Sequence, residues 1–237
     1  MKILYIYPHP DDESFGPASA MSKHLRQGHE VYLLTLTKGG ATKQRFKFGY
    51  SIEEMGEIRY KEMLEVAKVL GLSGMTILDL PDSGLKEMDP REIEKVIADE
   101  MERIQPQVVV TYAVHGISGF HDHLVSHAVV KRVFVELKEK APWLKRLVFT
   151  TLTAETAAKS PHFRLNSSTG DEIDCVFRVD PIDIEKNLEA LDCYKTFRET
   201  IEKSGIKDFA RRKEVVFEIF RENYDPPLSD LFEKIID

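Results

Sequence analysis

The sequence predicts an α/β fold: a mostly parallel sheet with helices on both faces and a C-terminal elaboration. Three observations point to it. Short apolar runs alternate with helix-length stretches as far as residue 153, the order that parallel strands and crossover helices require. The first run, "KILYIY" at 2–7, is apolar at neighbouring as well as alternate positions, as a strand buried on both faces must be. Two helices also announce their own starts through capping signals.

The elements follow in order. After strand 2–7 comes a helix over about 14–27, closed by Gly28, and a second strand, "EVYLLTL", at 30–36. The polar loop 38–50 is long enough to carry function. Ser51 with Glu54 three residues on forms a capping box for a helix reaching Leu70, which Gly71 stops. "TILDL" at 76–80 is the third strand. Asp89, Pro90 and Glu92 supply an N-cap, a proline at the first helical position and a second capping box for a helix to about Ile104. "QVVVTYA" at 107–113 is the fourth strand, followed by a histidine-rich turn at 115–127 that opens a helix to about Lys140, and "RLVFTTLT" at 146–153 is the fifth. Beyond it the expected elements are a strand at 175–179 paired with 162–166, then two helical stretches near 182–203 and 208–223.

At 237 residues, 42% hydrophobic and 31% charged, the chain can bury one substantial core, and a single unit spanning 1–237 is expected. The net charge of −7 lacks the basic footprint that attracts phosphate backbones, which argues against nucleic acid as a partner. The two cysteines, Cys175 and Cys193, form no CxxC, so neither a disulfide framework nor a zinc knuckle is indicated, and a reducing cytoplasm is the expected location. No window reads as a signal peptide or membrane span. Assembly into a homo-oligomer stays open.

In a doubly wound sheet ordered 3-2-1-4-5 the chain reverses between strands 1 and 4, and ligands bind in the crevice at that point. "PHPDDE" leaves strand 1 and "GFHDH" follows strand 4, so the two charged turns should face each other. Crowded carboxylates near a buried strand end repel unless something positive sits among them. A divalent cation would serve. His9 and Asp12 with a histidine of the second turn give two imidazoles and one carboxylate with a position left open, the pattern of a catalytic metal site. Asp11 is then free to take a proton from an attacking water. A plain helix N-terminus would explain Asp12 and Glu13, but not His9 or the matching turn. His121, His123 and His127 all lie in that turn. His121 and His123, two apart, share a side if the turn is extended, and His127 could pair with His123 one helical turn on. His24, His29, His115 and His162 read as surface or capping residues. "KGGATK" lacks a nucleotide-binding pattern around it.

"HPDDE" after the first strand, the "TLTKGG" strand end, "EIRYKEMLEVAKVLGL" and the "FHDH" turn together resemble the LmbE/PIG-L family of metal-dependent N-deacetylases, over roughly residues 1–160. The resemblance implies a Rossmann-like fold, a bound Zn²⁺ or alternatively Fe²⁺, and hydrolysis of the acetamide of a small N-acetylated sugar. By position it implies His9, Asp12 and His123 as metal ligands, Asp11 as general base, and Arg59 and Asp82 as substrate contacts. Phe120 stands where the family has the histidine that stabilises the tetrahedral intermediate, and His121 where it has proline, so either that histidine is lost or, as we favour, a one-residue relocation gives His121 the role. Asn187 and Tyr194 stand where the family has a lysine and a histidine. The expected function is therefore a zinc-dependent deacetylase of an N-acetylated amino sugar or its conjugate. The alternatives are another C–N amidase of the same fold, such as a thiol-conjugate amidase, and a non-catalytic metal- or sugar-binding protein.

Overall fold

Period-two side-chain alternation in the central strand builds the two faces of the molecule. The computed structural model describes residues 1–160 and 164–235. In β1 (Lys2–Tyr7), Ile3, Tyr5 and Tyr7 point to one core while Leu4 and Ile6 point to the other. Five strands run parallel: β1, β2 (Glu30–Thr37), β3 (Gly74–Leu80), β4 (Val108–Tyr112) and β5 (Arg146–Thr151). Their order is β3-β2-β1-β4-β5, as expected, and two antiparallel strands, β7 (Glu214–Ile219) and then β6 (Cys175–Arg178), extend the edge beyond β5.

The helices divide between the faces. They are α1 (Asp12–Phe15), α2 (Ala18–Arg26), α3 (Arg45–Phe48), α4 (Ile52–Leu70), α5 (Pro90–Ile104), α6 (His121–Lys138), α7 (Ala154–Ala158), α8 (Pro181–Cys193), α9 (Arg198–Lys203) and α10 (Ile206–Ala210). Residues of α2, α4 and α8 pack on the Tyr5 face, and those of α5 and α6 on the Leu4 face. Among the described residues no helix is long and apolar enough to cross a membrane.

Several sequence expectations need correction. The helix over 14–27 is two helices, because Pro17 cannot supply the N–H a continuous helix needs and instead precedes α2. The capping box at Ser51 forms, with Glu54 N–H donating to Ser51 Oγ at 3.1 Å and Ser51 N–H donating to Glu54 at 2.8 Å. Asp89 instead caps α5 by accepting the Arg91 N–H at 3.0 Å, two residues on, so its box with Glu92 does not form. The stretch 182–203 breaks after Cys193 into a 3-10 turn at Lys195–Phe197 before α9. Of the helix expected over 208–223 only the start is helical, in α10, and "EVVFEI" becomes β7 because its β-branched and aromatic residues complete the sheet between β5 and β6. That pairing gives β6 its partner in place of 162–166, where residues 164–166 are irregular and 162 and 163 lie outside the described residues.

Candidate metal centre and active site

β1 connects towards β2 on one side while β4 connects to β5 on the other, so the crevice opens between the C-terminal ends of β1 and β4. The turn after β1 reverses at Asp11, whose φ of 85° lies in the left-handed region that Asp tolerates better than most residues. The turn after β4 runs from Ala113 to Phe120 and enters α6 at His121.

These turns bring His9, Asp12 and His123 together, with one candidate ligand atom from each lying within 4.8 Å of the others. His123 Nε2 is 3.3 Å from Asp12 Oδ1, and His9 Nδ1 is 3.5 Å from Asp12 Oδ2. Hydrogen bonds outside the triad fix the tautomers. His123 Nδ1 lies 2.9 Å from the Gly116 carbonyl, which can only accept, so that nitrogen carries the proton and Nε2 turns a lone pair to Asp12. His9 Nε2 faces Asp122 Oδ2 at 3.1 Å and Asp82 Oδ1 at 3.3 Å, so Nε2 carries the proton and Nδ1 keeps a free lone pair when the ring is neutral. Asp12 accepts from the Tyr112 hydroxyl at 2.7 Å and from the His9 N–H at 2.8 Å. Two imidazoles with lone pairs converging on an oriented carboxylate suit a divalent cation such as zinc.

The charge distribution agrees. Burial works against ionisation of Asp12, but the His123 and His9 rings, when protonated, overcome it through their charge and hydrogen bonds and hold the carboxyl far below its usual range. Burial likewise opposes charge on His9, yet hydrogen bonds to Asp12 and Asp122 push it up to about 10. The buried carboxylates of the crevice therefore favour a positive charge among them.

Asp11 sits beside the triad. Burial raises its pKa to about 6 against the opposing charge of Arg59. Arg59, on α4 and 2% exposed, donates from Nη2 to Pro10 O at 2.6 Å and to Asp11 Oδ2 at 2.7 Å, with its guanidinium 3.9 Å from the centre of the Phe197 ring. Gly39 permits this approach, because a Cβ there would stand 2.8 Å from Pro10 Cδ and 3.1 Å from Arg59 Nε. Asp82 faces His9 and accepts the Ala41 N–H at 2.7 Å, tying the 38–50 loop to the crevice.

His121 is where the expected geometry fails. The turn is helical from that residue onward, so His121 and His123 lie about 200° apart around the axis instead of on one side. His121 is exposed, as is Phe120, while Asp122 and His123 are buried. His127 stays outside the ligand clusters of the described residues and lies 2.9 Å through Nδ1 from the Tyr112 carbonyl.

Of the other histidines, His24 departs from the surface or capping role, whereas His29 and His115 are half-buried. His24 is fully buried, with Nδ1 3.2 Å from the Tyr5 hydroxyl and its ring stacked on Phe177, and burial lowers its pKa to about 3. His29 stacks on Phe232, and His115 reaches Thr151 Oγ1 at 3.2 Å. His162 lies outside the described residues. Both cysteines are free.

Sequence reasoning missed Asp122, Tyr112 and Glu13 as parts of this site. Asp122, 3% exposed, faces His9 and also accepts the Ser83 N–H at 2.8 Å. Glu13 is fully buried, and burial raises it to about 7. Asn187 donates to Ser14 O at 2.7 Å, and Tyr194 meets Asp11 and Glu13 directly.

Residues 4–134 match the family model PIG-L, described as GlcNAc-PI de-N-acetylase. The chain belongs to the PIG-L family. Among curated PIG-L-like relatives, a 1D-myo-inositol 2-acetamido-2-deoxy-alpha-D-glucopyranoside deacetylase of Thermomonospora curvata is 29% identical over 181 residues, covering 65% of this chain and 61% of that protein. A mycothiol S-conjugate amidase of Streptomyces coelicolor is 30% identical over 152 residues, covering 56% and 52%. The chain thus spans between half and two thirds of these relatives' length. The PIG-L fold is matched by a deacetylase of teicoplanin biosynthesis, solved with bog, at a TM-score of 0.72 and 15% identity, covering 95% of this chain and 99% of that one.

Proposed function

We propose that this PIG-L protein is a metal-dependent amide hydrolase that removes the acetyl group from an N-acetylated amino sugar or its conjugate. The observation that carries the reading is the convergence of His9, Asp12 and His123 with Asp11 held beside them by Arg59. We assign His9 Nδ1, Asp12 and His123 Nε2 as ligands of Zn²⁺, with Fe²⁺ as the alternative ion. Such a cation lowers the pKa of water towards ~7 and polarises a carbonyl oxygen. The chain's own groups do the rest. Asp11 Oδ2 is engaged by Arg59, so Oδ1 is the oxygen assigned to take the proton of the attacking water and return it to the departing amine. Asp122 and Gly116 O keep the two imidazoles in the ligating tautomer. Asp82 and the buried Arg59, both already hydrogen-bonded to the protein, are assigned to meet the sugar. We treat residues 1–237 as one catalytic unit, and the free thiols accord with a cytoplasmic location.

The test is acetate release from a panel of N-acetylated sugars, with and without chelator. Release that chelator abolishes and added zinc restores is expected. Bound metal with no release from any substrate would favour a binding protein. The Streptomyces relative, named for cleaving a thiol conjugate, supports a second reading as an amidase of that class. Cleavage of the amide of a thiol S-conjugate in preference to acetylated sugars would select it.

A further inference from the structure

We infer that Tyr194 is a positioning residue for Asp11, holding the carboxylate in place through the backbone without touching substrate; the inference rests on the role of Asp11 as base. A left-handed φ of 85° at a residue with a Cβ must be held by its surroundings. Asp11 is also the N-cap of α1, so its N–H lies outside the helical ladder. That N–H donates to the Tyr194 hydroxyl at 2.9 Å, and Tyr194 is only 1% exposed, so a lost partner would not readily be replaced by water.

The hydroxyl is itself oriented. It donates to Glu13 Oε1 at 2.6 Å, and with its proton committed there its lone pairs are left to face the Asp11 N–H. Glu13 Oε1 also accepts from the Ser14 hydroxyl at 2.6 Å, so the acceptor is fixed from a second side. Arg59, its guanidinium 6.0 Å from the centre of the Tyr194 ring, completes the frame through Pro10 O and Asp11 Oδ2. Asp11 is therefore gripped at the preceding carbonyl, at its own N–H and at one carboxylate oxygen. Among the described residues no protein donor holds Oδ1, the oxygen left for a proton. Removing the phenol oxygen frees the N–H and lets the turn relax, which moves Oδ1 relative to the metal ligands.

The experiment uses the metal-loaded full chain and the acetylated sugar of highest turnover. Tyr194→Phe is expected to lower kcat by about 10- to 100-fold, the loss that a misplacement of about 1 Å brings, with KM within about twofold and metal content unchanged. Glu13→Gln keeps an acceptor oxygen for the phenol and should stay within about threefold of the parent kcat, whereas Glu13→Ala should follow Tyr194→Phe. A Tyr194→Phe protein with full metal and undiminished kcat overturns the inference, as does a loss explained by missing metal. If Tyr194→Phe does not fold, equal kcat for Glu13→Gln and Glu13→Ala overturns it. Asp11→Asn run alongside separates the two levels: retained turnover there removes the base itself, while its loss beside a fully active Tyr194→Phe removes only the role of Tyr194.

Discussion

The two turns that build the crevice carry the same residue chemistry, yet they differ in how far sequence spacing governs them. After β1 the chain has only Pro8 to Asp11 before α1 begins, and nearly every polar group there is held: His9 N–H by Asp12, Pro10 O by Arg59, Asp11 N–H by Tyr194. Spacing in so short a segment translates directly into geometry. After β4 the turn is longer, and where α6 starts decides which way each side chain faces. The helix begins at His121, and that choice buries Asp122 and His123 while leaving His121 in solvent. Spacing alone cannot fix ligands in a turn whose helix boundary is uncertain by a residue.

The hardest way to break this comparison is to remove a ligand from either turn. His9→Ala, Asp12→Ala and His123→Ala should each lose the roughly one equivalent of divalent metal expected per chain, with turnover falling to the chelator-treated level. Elemental analysis beside an acetate assay checks this. Full metal in the His123 variant, with loss on removing His121 or His127, would transfer the ligand role within the second turn. Asp11→Asn comes next, because it keeps shape and metal but has no carboxylate to accept the proton. Turnover should fall by ~10²-fold or more, and an unimpaired variant would mean that another group activates the water.

Asp122 tests the contribution of the second turn to the first. Its carboxylate faces His9 Nε2 across the crevice, so Asp122→Ala should weaken metal binding by about 10- to 100-fold while the metal-saturated enzyme keeps most of its turnover. Competition with a chromogenic chelator measures it. An unchanged affinity would leave Asp82, 3.3 Å from the same nitrogen, as the sufficient partner.

The parallel half of the sheet was legible because each strand there is a continuous apolar run bounded by cap or turn residues. The antiparallel edge was not, since "EVVFEI" fits a helical as well as a strand period and its partners β5 and β6 lie far back in the chain. His9, Asp12 and Asp11 could be read because they sit within four residues of one another after a buried strand. The Tyr194 to Glu13 contact spans 181 residues, and no local pattern announces such a pair. Asp122 was legible in type, as an acidic residue between two histidines, but its direction depended on the helix start.

That same helix start yields the smallest predicted effect. If His121 supplied the imidazole that the family carries one residue earlier, His121→Ala would cost the 10²- to 10³-fold typical of an oxyanion donor. Its exposure at the first position of α6 argues against such a cost, because a donor acts in chemistry when it is preorganised in a water-excluded site. We therefore expect His121→Ala to retain metal and to stay within about twofold of the parent kcat and KM. Phe120→His, which restores an imidazole at the neighbouring position, gives the comparison its sharpest form. Phe120 is exposed and is the N-cap of α6 without a side-chain capping bond, so the substitution removes no cap, and because its ring meets that of His123 edge-on at 5.5 Å the metal content is measured beside kcat. A rise in kcat on Phe120→His, with His121→Ala neutral, would show that the crevice is served by the position before the helix. A loss of 10²-fold or more in His121→Ala at full metal would instead mean that the first turn of α6 rearranges when substrate binds, bringing His121 inward.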